Sequence, residues 1–291
     1  MSSNRDWVNQ TLGDPDEATP ASSMPTITTG KILALALPSL GALIAEPLFT
    51  IIDSTMVGHL GTPQLAGLGV ASTVLNTAVG LFIFLAYSTT SLTGRHLGAG
   101  RRDLALRSGI EAMWLAGGIG AVAAILLAAF ASPLLTWLGA DAATLPHALA
   151  YLRSSAPGLI GMFVVLAATG VLRGLLDTRT PFVVATGGAV FNIVVNAILL
   201  YGVGMGIAGS GAGTAIAQTA MALALAGPIA QEARAAGVGL LPHREGLRAS
   251  LGSGTPLFIR SLSLRVAILA TGWAATALGG VALAGHQVGT G

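Results

Sequence analysis

The sequence predicts an all-α, polytopic membrane protein: a six-helix N-terminal lobe, then a seventh helix and the start of an eighth. Three observations carry this. Hydrophobic residues make up 53% of the 291 positions and charged residues 9%, with a mean hydropathy of +0.77, whereas a soluble domain carries about a quarter charged residues. The apolar residues gather in runs that each reach the roughly 20 residues a helix needs to cross a bilayer core. Forty glycines among Ala, Ser and Thr suit helices that pack closely in lipid, where small side chains let backbones approach.

Taken in order, residues 1–30 are rich in Ser, Thr, Pro and Asn, with Asp14, Asp16 and Glu17 close together. They read as a disordered cytoplasmic tail. A signal peptide's basic start, short apolar core and small-residue cleavage site are missing. Apolar runs follow at about Lys31–Val57, Gln64–Leu92, Leu104–Phe130, Ala148–Leu172, Pro181–Tyr201, Ile207–Ala230 and Pro256–Ala277, and an eighth begins at Val281. Gly, Pro and charge clusters separate them. The lobe is expected over 31–236. A cytoplasmic linker follows over 237–254, where Arg244 and Arg248 between apolar residues predict a short amphipathic helix over Leu241–Ser250. Residues 255–291 are the start of a second lobe.

Orientation follows from the 14 Lys and Arg. Lys31, the group Arg95, Arg101, Arg102 and Arg107, the pair Arg173 and Arg179, and the group Arg234, Arg244 and Arg248 fall on alternate connections. Gly58–Pro63, Ala131–Pro146 and Gly202–Gly206 hold none. By the positive-inside bias the N-terminus is cytoplasmic; the location expected is the cell (inner) membrane. Arg153 is the exception, placed to snorkel outward. A net charge of +2 without a basic run argues against nucleic acid as a partner. Zero Cys excludes a disulfide framework and thiolate metal sites.

Shifting the chain by 218 positions lays Leu60-Gly61 on Leu278-Gly279, Leu65-Ala66-Gly67 on Leu283-Ala284-Gly285, and Pro38 on Pro256. The first and seventh helices are thus equivalent, and an offset of six helices makes the repeats parallel, one of the internal symmetries of secondary transporters. Asp53 is the residue of greatest interest. An Asp near a helix centre in lipid costs about 2.5–3.5 kcal/mol, so it faces protein or a water-filled cavity and marks a site.

The pattern Pro38…Glu46-Pro47…Asp53-Ser54…Val57-Gly58-His59-Leu60-Gly61 resembles the first-helix signature of the MATE (multidrug and toxic compound extrusion) transporters, in their DNA-damage-inducible-F branch. Ser88-Thr89-Thr90-Ser91-Leu92-Thr93-Gly94, Gly170-Val171-Leu172-Arg173-Gly174, Gly187-Gly188…Phe191-Asn192-Ile193…Asn196, Gly209-Ser210-Gly211-Ala212-Gly213-Thr214-Ala215 and Ala284-Gly285-His286-Gln287-Val288 are similar to later motifs of that branch. The resemblance implies a twelve-helix exporter of two six-helix lobes, driven by a proton or sodium gradient and ejecting bulky, often cationic compounds. This chain holds one lobe and the start of the next, as in a C-terminally truncated form. Asp53, Asn192, Asn196 and Thr214 match a polar cluster that takes part in cation coupling in such relatives. Many relatives carry an acid where this chain has Asn196, so one carboxylate stands where two are usual.

Depth along the helices agrees with that cluster. At 1.5 Å per residue, Asp53, Asn196 and Thr214 lie roughly 6–10 Å from the outer ends of their helices, and Asn192 is one turn from Asn196 on the same face. An amide does not titrate. With proton coupling Asp53 carries the exchange; with sodium, the four residues form an oxygen-lined site. No other cofactor or metal is expected. Glu46, Asn76, Thr77, Tyr87 and Gln218 are candidate cavity-lining residues, though Glu46 equally serves the backbone groups exposed by Pro47 and polar helix contacts explain Asn76, Thr77 and Gln218. Asp53 itself has a structural alternative, capping the first outer loop. Glu111 reads as an ion pair with Arg107, and His59 and His286 as loop or interface residues.

The function expected is therefore cation-coupled antiport, a multidrug efflux activity acting on a small-molecule substrate in a plasma membrane bilayer. A lipid-linked precursor flippase is the alternative, with few basic residues in the outer half to favour it, and so is a non-transporting membrane fragment that needs a second lobe or a second copy. An enzyme is not expected. Glu46 and Asp53 lie two turns apart on one helix, roughly 10 Å, where an intramembrane aspartyl protease needs two carboxylates from two helices sharing a proton.

Overall fold

The computed structural model describes residues 51–277, which form ten α-helices and no strand. Residues 51–58 (α1) are the described end of the first apolar run. Then come α2 (Thr62–Phe82), α3 (Phe84–Gly98), α4 (Arg102–Ala129), α5 (Ala131–Trp137), α6 (Leu145–Ser155), α7 (Gly158–Gly174), α8 (Arg179–Ala197), α9 (Ile207–Ala235) and α10 (Arg244–Ala277). The tail, Lys31, Pro38, Glu46 and Pro47, and Val281 with His286, lie outside the described residues.

Among the described residues, Thr62–Gly98, Arg102–Ala129, Arg179–Gly202 and Ile207–Ala235 are each long and apolar enough to cross a membrane. The pair α6 and α7, bent by 53° at its break, makes a fifth if the two are counted as one span. Where the sequence reads one continuous run over Ala148–Leu172, the bend falls at Ala156-Pro157, because Pro lacks the N–H that would continue the ladder. Two further expectations are corrected. Ala131–Pro146 is not all loop but opens with the two-turn helix α5. The linker has no separate amphipathic helix: residues 244–250 are the first turns of α10, which runs through Pro256 without a break.

Helix α7 is the hub, packed on α3, α4 and α9. It earns that position through small residues. A methyl on Gly161 would stand 2.7 Å from the Gln218 carbonyl oxygen, one on Gly170 2.5 Å from the Ala86 oxygen, and one on Gly174 2.7 Å from Thr93 Cβ. Backbones therefore touch along its length, and Leu159, Phe163, Ala167 and Val171 fill the space left, all wholly buried. At the arginine-rich end, Arg102 pairs with Glu232 to join α4 to α9, and Arg107 pairs with Glu111 at 3.4 Å, as their spacing predicts.

The short connections are capped by carboxylates. Asp177 accepts from the Arg179 and Thr180 N–H groups at 3.0 Å each and from the Thr180 hydroxyl at 2.6 Å, occupying donors left open by the first turn of α8. Slight burial pushes its carboxyl up, but the Thr180 hydroxyl and these N–H groups outweigh it and hold it below the usual carboxylate range. Asp141 is likewise held low, chiefly by Thr144, whose N–H it accepts at 2.8 Å before α6.

Candidate functional site

Asp53 projects from α1 toward α8 and α9. On that side Val57, one turn on, is wholly buried, while Ile51 and Thr55 on the opposite side are exposed. Its Oδ1 accepts from Asn196 Nδ2 at 2.8 Å and from the Ser210 hydroxyl at 2.9 Å. Asn196 Nδ2 also donates to Asn192 Oδ1 at 3.2 Å, so both of its hydrogens are in use. Among the described residues Oδ2 of Asp53 carries no hydrogen bond.

Local sequence builds this meeting point. Asn192 and Asn196 stand four residues apart on one face of α8. Immediately after them the helix widens into a π-turn over Ile198–Gly202, a feature common at functional sites. Tyr201 in that turn donates its hydroxyl to the Met56 carbonyl at 2.7 Å and ties the end of α8 to α1. Helix α9 then enters through Gly209, Gly211 and Gly213. A methyl on Gly209 would meet the Leu199 oxygen at 2.9 Å, one on Gly211 the Tyr151 oxygen at 2.6 Å, and one on Gly213 would collide with Asn196 Oδ1. This close approach brings Ser210 to Asp53. It leaves Asn196 fully buried, and its Oδ1 has no hydrogen-bond donor among the described residues.

Three of the four residues expected to cluster are thus joined: Asp53, Asn192 and Asn196. Thr214 lies one turn beyond Ser210 but donates to the Ser210 carbonyl at 3.0 Å, not to Asp53. A helical Thr hydroxyl reaches its own preceding turn. Thr214 and Ser72 flank the hydroxyl of Tyr151, a buried residue of α6 close enough to feel the charge of Asp53. Of the cavity-lining candidates, Asn76, Thr77 and Tyr87 are exposed and Gln218 is half-buried, none of them bonded to this cluster, and Thr77 donates to the Thr73 carbonyl. Glu46 lies outside the described residues. His59 bonds locally, its Nδ1 2.7 Å from the Thr55 oxygen.

Ser210, Tyr151, Ser72 and Tyr201 are the residues that sequence reasoning missed. Ser210 had a signal, a lone hydroxyl between two glycines, four residues before Thr214 and therefore on its face. The other three did not stand out.

Comparison with known proteins decides the family. The MatE family model matches residues 38–198, more than half of the chain. The chain belongs to the MATE family. It is 33% identical over 189 residues to Protein DETOXIFICATION 44, chloroplastic, of Arabidopsis thaliana, covering 61% of this chain and 36% of the relative. It is 32% identical over 177 residues to DNA damage-inducible protein F of Escherichia coli strain K12, covering 60% and 38%. The matches therefore span little more than a third of these relatives' length. Two MATE-type structures share the fold. A MOP superfamily transporter from Pyrococcus furiosus superposes with a TM-score of 0.74 at 23% identity, over 87% of this chain and 57% of that one. A MATE protein in its straight conformation gives 0.72 at 24% identity, over 86% and 56%. The MATE resemblance read from the motifs is confirmed, and the protein is a multi-pass membrane protein.

Proposed function

We propose that this chain is the first lobe of a secondary-active exporter in which Asp53 is the coupling carboxylate. It takes up a proton or sodium ion as a bulky, often cationic organic compound leaves. One observation carries the reading. Asp53, a carboxylate set among membrane-spanning helices, has one oxygen held by Asn196 and Ser210, while the other has no hydrogen bond among the described residues. Such a group can change its charge or gain an ion without dismantling the contacts that position it.

Asn192 and Asn196 are neutral, so Asp53 carries the charge change at this depth. Asn192 Oδ1, the unpartnered Asn196 Oδ1 and the Thr214 hydroxyl are neutral oxygens of the kind a sodium site uses. The arginines at one set of helix ends support a cytoplasmic N-terminus in the cell membrane. Alternating access needs a second repeat to rock against. The test compares vesicles holding the 291-residue chain with vesicles holding the same chain joined to a second six-helix lobe, under imposed proton or sodium gradients. Export of a cationic dye with the second lobe, and none without it, is expected. Equal export by both, or export independent of either gradient, overturns the proposal.

A further inference from the structure

Helix α4 carries its charges, Arg102, Asp103, Arg107 and Glu111, in its first turns, and the rest of it, Ala112–Ala129, carries none. At 1.5 Å per residue that uncharged part rises roughly 27 Å, close to the bilayer core of about 30 Å. Trp114 therefore stands just inside the boundary at the arginine-rich end, the depth at which membrane tryptophans collect. It is half-exposed, and its indole N–H donates to the Leu240 carbonyl at 2.9 Å, which fixes the segment between α9 and α10 at the same level. Two apolar grooves start from this tryptophan. One, of about 600 Å³, runs between α4, Ile160 and Val164 of α7, Ala226 and Ala230 of α9, and Leu240. The other, of about 720 Å³, is lined by Phe82, Leu247 and α4 as far as Leu126, which lies roughly 18 Å from Trp114 along the helix, about the depth of one leaflet. Gly118 belongs to both, and a methyl built on it meets nothing within 4 Å.

We propose that these grooves hold the two acyl chains of an anionic glycerophospholipid, one on each side of Trp114, with the headgroup against Arg234 and Arg248. Depth sets the chain chemistry, because the exposed faces of Trp114, Val122 and Leu126 lie within the bilayer core. Charge sets the headgroup. Arg234 stands one turn beyond Ala230 on α9 and Arg248 follows Leu247 on α10; both are exposed, and neither side chain has an ion pair among the described residues. Arg102 and Arg107 are already committed to Glu232 and Glu111, and Glu111 is buried against Gly246, where a methyl would collide with its carboxylate. Two cations thus remain at the mouths of the grooves, and cations at that level attract anionic lipid. A second copy of the chain would press one continuous surface on this face, whereas two grooves parted by a single side chain fit two chains joined at one headgroup. A lipid seated there touches α4, α9 and α10 together and holds the inter-lobe segment on the first lobe. The site lies apart from Asp53 and does not depend on its role.

The experiment is fluorescence quenching in phosphatidylcholine nanodiscs, with the 291-residue chain keeping Trp114 as its one tryptophan through Trp7→Phe, Trp137→Phe and Trp273→Phe. Phosphatidylglycerol or phosphatidylcholine brominated on one acyl chain is titrated in, since bromine quenches an indole it touches. Each cation at the membrane surface strengthens association with anionic lipid by about fivefold, so the phosphatidylglycerol should half-quench Trp114 at a several-fold lower mole fraction than the phosphatidylcholine. Arg234→Gln with Arg248→Gln, both at exposed positions, should bring the two curves together. Gly118→Leu, which fills the floor shared by the grooves, should do the same, and the arginine pair carries the test if the leucine variant fails to fold. A chain keeping only Trp137, which is 82% exposed on α5 beyond the other end of α4, should be quenched alike by both lipids. Equal curves at Trp114, a preference that survives either change, or the same preference at Trp137 overturns the site. So does a Trp114 that neither lipid quenches in a chain that cross-links as a dimer, which would make this face an interface between copies.

Discussion

Replacing Gly213 by Ala tests whether close approach of α9 is what orients Asn196. The added methyl collides with Asn196 Oδ1 and stands 3.1 Å from its Cγ and 3.3 Å from its backbone nitrogen, and the rigid α8 backbone cannot retreat. Asn196 must therefore swing out of line, giving up its bonds to Asp53 and Asn192. Overpacking costs about 1–3 kcal/mol, and a lost hydrogen bond to a charged group costs about 1.5–3 kcal/mol. The better helix propensity of Ala returns roughly 1 kcal/mol. A net loss of about 1.5–5 kcal/mol is expected. Gly227 is the control on the same helix, since a methyl there meets nothing within 4 Å, and Gly227→Ala should be neutral or stabilising by up to about 1 kcal/mol. Equilibrium unfolding of both variants in mixed micelles reads the difference. Equal stability of the two would refute the packing argument.

Two further outcomes can be checked by the same unfolding assay. Asp177→Ala removes the carboxylate that caps α8 and should cost about 0.5 kcal/mol, the low end of the cap range because the group is largely exposed. Its carboxyl is held below the usual range in the folded protein. The stability it supplies is thus fully present above its unfolded pKa of roughly 3.9 and fades as pH falls through the lower folded value; a variant that loses the same stability at neutral pH and at pH 3 contradicts this. Leu176 sits in the left-handed region at φ 66° with an exposed side chain. Leu176→Gly should raise stability by up to about 1 kcal/mol, as relief of strain exceeds the entropy a glycine loses, and a fall would show that the Leu side chain has a contact worth more than the strain.

The sequence carried much of the fold because apolar length and arginine placement are one-dimensional signals. Asp53 stood out by its cost in lipid, and Asn192 with Asn196 by their helical spacing. Rotation and bending were harder to read. Pro157 bends its span by 53°, yet one proline in an apolar run reads equally as a kink or as a break. Which acceptor the Thr214 hydroxyl takes depends on the rotamer, which spacing does not encode. Ser210 is marked by its place between two glycines, but its partner is not. Its reach to Asp53 comes from three glycines that let α9 in, a property of packing between helices and not of serine.

The role of Asp53 is tested most directly by Asp53→Asn in the chain joined to a second lobe, measured as gradient-driven export of a cationic dye from vesicles. The amide preserves the shape and the bond from Ser210 while removing the charge, so insertion and folding should persist and gradient-driven export should fall to the level of empty vesicles. Export undiminished by the substitution would contradict Asp53 as the coupling group.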